Sequence, residues 1–293
     1  MNNHMENRMK KGLLTKTSTL TAVLFFVLIF TITSTAFASQ NYRLRSHQQA
    51  FNVTTDDDIR SEIEFGQNIA ARILGTMPVY ENEQLTRYVN LVGKSLAANS
   101  SRPEIEFYFA VLDIEKINAY SAPGGYIFIT RGAIRQMQDE AELAAVIGHE
   151  IAHITEKHIV NEFKIRGKDE SSVSGVTRIV GGSGDSARVA FSQAVDKAMN
   201  VLLETGFKHK DELDSDTVAT LLLTQTGYDP TALVRYLKRI KKYTEKNANK
   251  KTTTHPATDE RLNEIQALLD AEGLANIGLP RGQKRFKTYV KRR

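Results

Sequence analysis

The chain of 293 residues contains no cysteine. That excludes disulfide bonds, a lipidated N-terminal cysteine and thiolate ligands in any metal site. It also lacks a long apolar run. The strongly hydrophobic core of the N-terminal stretch, residues 22–30, is short beside the roughly 20 residues that a membrane helix needs. A large excess of one charge is missing too. Residues 1–38 contribute +3 of the formal +5, and the remaining +2 is not the balance of a nucleic-acid-binding protein. No long-range repeat is evident. Gly181-Gly182-Ser183-Gly184 is not followed by the Gly-Lys-Ser/Thr of a phosphate loop.

What is present divides the chain into four parts. Residues 1–38 carry a basic n-region (Arg8, Lys10, Lys11, Lys16), an apolar segment and the Ala36-Phe37-Ala38 cleavage pattern. They read as a secretion signal cut after Ala38, with an uncleaved anchor as the alternative. Residues 39–55 are polar and unpatterned, a linker. Residues 56–271 are the folded domain, in a chain whose 41% hydrophobic content can build a core. Residues 272–293 are a basic tail. This tail is expected to fray and the basic stretch 235–251 to be a solvated helix face; weak association with an anionic membrane surface is the other reading.

Inside the domain, hydrophobic spacing predicts helices over 56–75 and 81–98. Short aromatic and β-branched runs at 106–113, 117–120 and 126–130 predict a small antiparallel meander. Helices resume at 139–160, at 186–203, at Asp229-Pro230 with proline in the first turn, and from 255–261 onward, carrying Leu262, Ile265 and Leu269 inward. The Gly- and Ser-rich stretch 167–185 reads as a mobile cover over a cleft.

The chemistry gathers at His149-Glu150-Ile151-Ala152-His153. Histidines four apart on a helix lie about 40° apart around the axis and one turn apart along it, so both imidazoles reach one ion. Glu150 leaves the helix about 100° from His149, beside that ion without being a ligand. Two neutral nitrogens holding zinc and a carboxylate to take a proton from water make a hydrolytic set. Asp139 followed by Glu142 looks like a capping box at the start of this helix.

Three stretches resemble a known family when taken together. They are His149–His153, the run Asn118-Ala119-Tyr120-Ser121-Ala122-Pro123-Gly124-Gly125-Tyr126-Ile127-Phe128-Ile129-Thr130-Arg131-Gly132, and Glu212-Leu213-Asp214-Ser215-Asp216. They are similar to the zinc endopeptidase family that includes HtpX and the CAAX prenyl proteases. Within it the chain most resembles the soluble secreted bacterial branch of the BepA, LoiP and YcaL type, over about residues 58–269. Nothing after Leu269 resembles the tetratricopeptide repeats of BepA. The resemblance implies an α+β fold: a mainly helical, zincin-like (gluzincin) domain with a small antiparallel sheet beside the active-site helix. It further implies one Zn2+ per chain and a periplasmic protease acting on unfolded or misassembled envelope proteins.

A third ligand must come from another segment. Position 156 is Glu and position 159 Ile, where a metzincin needs Gly and His. On a continuous helix His158 would face about 180° away from His149, and Glu156 would lie roughly 10 Å along the axis. Glu212 is the candidate, with Asp216 at i+4 to hold the far nitrogen of a ligating histidine; the resemblance assigns Glu212 to the metal as well. The competing reading is that both merely favour a helix N-terminus. Glu150 is then the general base, and the substrate is expected along Tyr126, Ile127, Phe128 and Ile129 through free backbone groups. His255, after a polar loop at 243–254, is expected to face the cleft. It is read as a brake in the fourth metal position, a transition-state donor, or a plain helix start. A closed-site zinc chaperone and a zinc aminopeptidase are the other functional classes.

Overall fold

The computed structural model describes residues 55–166, 185–247 and 253–290. The signal segment, nearly all of the linker and the expected cover at 167–184 lie outside these residues.

Helix α1 (Asp56–Thr76) opens the domain with a capping box. Thr55 accepts from the Asp58 amide, and the Asp58 carboxylate accepts from the Thr55 amide. Helix α2 (Glu83–Ala97) follows, capped by Asn82. Three strands come next: β1 (Tyr108–Leu112), β2 (Ala119–Ala122) and β3 (Tyr126–Thr130). The short α3 (Arg131–Gln136) leads into α4 (Glu140–Thr155), which carries the His-Glu-x-x-His motif. After α4 come α5 (His158–Glu162), α6 (Asp185–Asn200) with a π turn at Val201–Thr205, α7 (His209–Gln225), α8 (Ala232–Lys246), α9 (Asp259–Ala271) and α10 (Gln283–Tyr289). The described residues are mostly helical with one small sheet.

That sheet is mixed and not an antiparallel meander. Its order is β1-β3-β2, with β1 parallel and β2 antiparallel to β3. The turn at 113–118 carries the chain past the position beside β1, so β3 enters between the other two strands. The consequence bears on function. Tyr126, Ile127, Phe128 and Ile129 sit in the central strand, with partners on both sides, and present no free edge for a substrate. The outer edges belong to β1, met only by an isolated bridge from Val79 to Leu112, and to β2, which has no partner on its outer side among the described residues.

The strand period of two sends the side chains into two cores. Phe109, Val111, Ile127 and Ile129 pack with α2 and α4, whereas Leu112, Tyr120, Ala122 and Phe128 pack with α1 and α6. The link between Pro123 and Gly125 is pressed so hard against α1 that a Cβ on Gly66 would stand 1.7 Å from the Pro123 carbonyl oxygen. Gly124 in that link has φ +72°, a left-handed backbone that glycine adopts without strain.

Helix α4 is buried along its whole length, as expected of a helix hydrophobic on every face. Its N-terminus needs compensation. Asp139 accepts from the Glu142 amide at 3.0 Å, while the Glu142 carboxylate reaches past the cap to the Gln138 amide and to Arg239. The helix ends at Thr155, five residues short of the expected stop, because Lys157 turns left-handed at φ 57°. Helix α8 also starts two residues late. The Asp229 carboxylate takes the Thr231 amide, Arg235 and Arg281, so Pro230 precedes the helix and is not inside it.

The described part of the basic tail, up to residue 290, docks through α10 instead of fraying as expected. Phe286 and Val290 are buried, Tyr289 stacks on Tyr88 at 4.5 Å, and Arg285 pairs with Glu140.

Candidate metal centre

The centre lies between α4 and α7, which run alongside each other with Gly148 against Ala219. The small pair lets the backbones approach and sets the first turn of α7 opposite the last turns of α4. His149 Nε2 and His153 Nε2 are 3.1 Å apart. Glu212 closes the triangle, with Oε2 at 3.5 Å from His149 Nε2 and Oε1 at 3.5 Å from His153 Nε2.

These spacings test the fit to an ion. Zinc–ligand bonds of about 2.0–2.1 Å in a tetrahedron set neighbouring donor atoms about 3.3–3.4 Å apart. The nitrogen–nitrogen distance lies just below that value, and the distance from each histidine to one of the two Glu212 oxygens just above it. Glu212 Oε2, fully buried, has Arg261 Nη1 at 2.7 Å but no well-directed hydrogen bond. The donor set is thus one that could hold zinc. With His255, four ligand atoms fall within 4.8 Å of one another.

The electrostatics follow from burial and from the carboxylates. Burial opposes ionisation of Glu212, yet His255, Arg261 and the two histidines hold its pKa well below the usual carboxylate range. Burial likewise opposes charge on His149, but Asp216 and Glu212 outweigh it and push the imidazole up to about 9. Burial wins at His153, which falls well below the ordinary histidine value. A cation and a proton compete for these same lone pairs.

Asp216 Oδ1 lies 3.0 Å from His149 Nδ1, a bent contact. Ser121 on β2 donates to Glu150 Oε2 at 2.7 Å. His255 Nδ1 is 2.8 Å from Glu212 Oε1, and its Nε2 is 3.7 Å from Glu150 Oε1. Asn118 anchors the segment before it, with Oδ1 accepting from Thr253 and Thr254.

Two participants escaped the sequence reading. Arg261 is 1% exposed and reaches Asp216 through Nε and Nη2, both at 2.7 Å, and Glu212 through Nη1. It pairs with the two fully buried carboxylates of α7, Glu212 and Asp216. The other is His158, expected to face away. Because α4 stops at Thr155 and the chain reverses at Lys157, its Nδ1 lies 2.9 Å from His153 Nδ1.

Comparison with known proteins settles the family. Residues 83–269 match Peptidase family M48. The chain belongs to that family. Among similar M48-type proteins, the beta-barrel assembly-enhancing protease of Yersinia pestis is 25% identical over 239 residues, covering 79% of this chain and 47% of that protein. The protein of the same name from Escherichia coli K12 is 25% identical over 213 residues, covering 70% and 43%. Metalloprotease LoiP of Escherichia coli K12 is 25% identical over 193 residues, covering 66% and 72%. The chain spans about half the length of the beta-barrel assembly-enhancing proteases it matches. M48 membership and these names support a metalloendopeptidase, and M48 metalloproteases use zinc. No helix among the described residues is long and apolar enough to cross a membrane.

Proposed function

We propose that this M48 chain is a zinc endopeptidase of the bacterial envelope, exported by the signal at 1–38, that degrades unfolded or misassembled envelope proteins. The observation that carries it is the His149–His153–Glu212 triangle, with edges of 3.1–3.5 Å and the Glu150 carboxylate beside it. The envelope setting is supported by the relatives named for β-barrel assembly.

His149, His153 and Glu212 would hold the ion. Zinc, when bound, supplies the acidification of a water and the polarisation of the scissile carbonyl. Glu150 takes the water's proton and later returns it to the leaving amine. Ser121 aims the Glu150 carboxylate. An extended substrate adds along the open side of β2, from Ala119 to Ala122, where backbone pairing reads shape before sequence. Next to Glu150 a cavity of about 40 Å³, walled by Val146, Leu233, Leu237 and Ile240, takes an aliphatic side chain flanking the scissile bond. At about 10–15 Å³ per water, that is room for three or four heavy atoms.

His255 acts as a brake: its imidazole joins the three ligands within 4.8 Å, where it can fill the fourth position of the ion. Cleavage of casein by the full chain, with and without chelator, tests the whole reading. Chelator-sensitive casein cleavage with inert aminoacyl chromogenic substrates is expected; the reverse pattern identifies an aminopeptidase, and no cleavage of either a binding protein. In the same assay His255→Ala should raise the basal rate at matched zinc content. A fall of about 10²–10³-fold would make it a transition-state donor instead.

Ligand roles are separable by affinity. Asp216→Ala leaves the three ligands in place but removes the carboxylate behind His149, which also pairs with Arg261, and should weaken zinc binding about 10–100-fold. Glu212→Ala should weaken it further than that. Chelator competition measures both, and unchanged affinity in the two variants would move the third ligand elsewhere.

A further inference from the structure

The two histidines of the motif are backed differently. Behind His149 stands a carboxylate, Asp216. Behind His153 stands another imidazole, that of His158, with the Nδ1 atoms 2.9 Å apart and the rings at 71°. Both rings are buried, and Phe207 stacks on His153 at 3.8 Å while tilting against His158 at 6.1 Å. The left-handed Lys157 is what brings His158 back over the last turn of α4.

Two ring nitrogens at 2.9 Å share one hydrogen. His153 Nε2 faces His149 Nε2 and Glu212 Oε1 with the lone pair that an ion needs. A neutral imidazole has one N–H and one lone pair, so the hydrogen of His153 is on Nδ1 and His158 Nδ1 accepts it. The hydrogen of His158 is then on Nε2, which points to Asp211 Oδ1 at 3.9 Å. Asp211 precedes Glu212 in the first turn of α7.

We infer that His158 is a positioning residue: through its Nδ1 it holds His153 in the tautomer that offers Nε2 to the metal, with Asp211 behind it. The inference rests on the zinc-site reading above. A ligating histidine ordinarily donates its second N–H to a carboxylate, carbonyl or water, and removing such a partner weakens metal binding about 10–100-fold. Here an imidazole does this for one ligand and a carboxylate for the other, so the two ligands differ in basicity although they lie on one helix.

The test is zinc affinity of the full chain by chelator competition, together with the visible absorption of the Co2+-substituted protein. His158→Phe keeps a buried ring and removes the acceptor. It should weaken zinc about 10–100-fold and shift the cobalt bands. His158→Asn puts an amide oxygen where Nδ1 was, and should restore affinity to within a few-fold and the bands to their original position. Wild-type affinity in His158→Phe overturns the inference. So does equal impairment of the two variants, because then the ring and not its acceptor matters. His153→Ala is the control that separates the two levels. If it binds zinc normally, the metal-site reading itself falls; if it loses zinc while His158→Phe does not, only the role of His158 falls.

Discussion

Glu150→Gln should retain zinc and the fold while casein cleavage falls about 10²–10⁴-fold, the usual contribution of a positioned general base. The reasons are geometric. Glu150 lies between the two histidines on α4 without belonging to the ligand triangle, and Ser121 directs its carboxylate from β2. A glutamine keeps the volume and can still accept from the Ser121 hydroxyl, so packing and metal geometry are preserved. What it loses is the ability to take a proton. Metal analysis and rate at matched zinc content check the two halves separately. Full activity in a zinc-loaded Glu150→Gln protein would end the hydrolytic account.

Arg261→Met should destabilise the fold by about 3–5 kcal/mol, because it removes the buried guanidinium that pairs with two buried carboxylates. Glu212 is 2% exposed and Asp216 1% exposed, so water cannot replace the guanidinium. For a domain of this size the expected fall in Tm is about 2–4 °C per kcal/mol. Thermal unfolding of the chelated protein measures the effect without a contribution from bound metal. The triple variant Arg261→Met, Glu212→Gln, Asp216→Asn should recover much of the loss, since no unpaired charge then remains buried. If Arg261→Met leaves Tm unchanged, the α7 carboxylates pair with another group.

Both predictions join elements far apart in the chain, and that limits what could be read beforehand. Pairs within one helical turn were legible. His149 and His153, Glu212 and Asp216, and the Asp139 cap all follow from 3.6 residues per turn, a property of the local backbone. The inward faces of α9, with Leu262, Ile265 and Leu269, follow from the same period.

The stop after Thr155 was not legible. Residues 156–160 carry no proline or glycine, and Lys157 is left-handed without being a glycine. His158 was therefore assigned to the wrong face. The central place of β3 escaped for a related reason. Strand period fixes which side chains share a face, but strand order depends on where the intervening turn leads the chain. β3 therefore offers no free edge, and the sheet's outer edges belong to β1 and β2. Arg261 read as one more charged residue at a helix start, since nothing local marks an arginine as buried. Likewise the basic composition of 281–293 said nothing of the acidic N-terminus of α4 that awaits Arg285.

The sequence by itself determined the reactive helix, the kind of donor atoms and the pairing of Glu212 with Asp216, because backbone periodicity alone brings those groups into register. Only the tertiary structure decided which imidazole backs His153, which cation pairs with the α7 carboxylates and which strands form the sheet's edges. Those depend on the chain reversal at Lys157 and on contacts between segments such as α7 and α9, 45 residues apart, and no local pattern encodes where such segments meet.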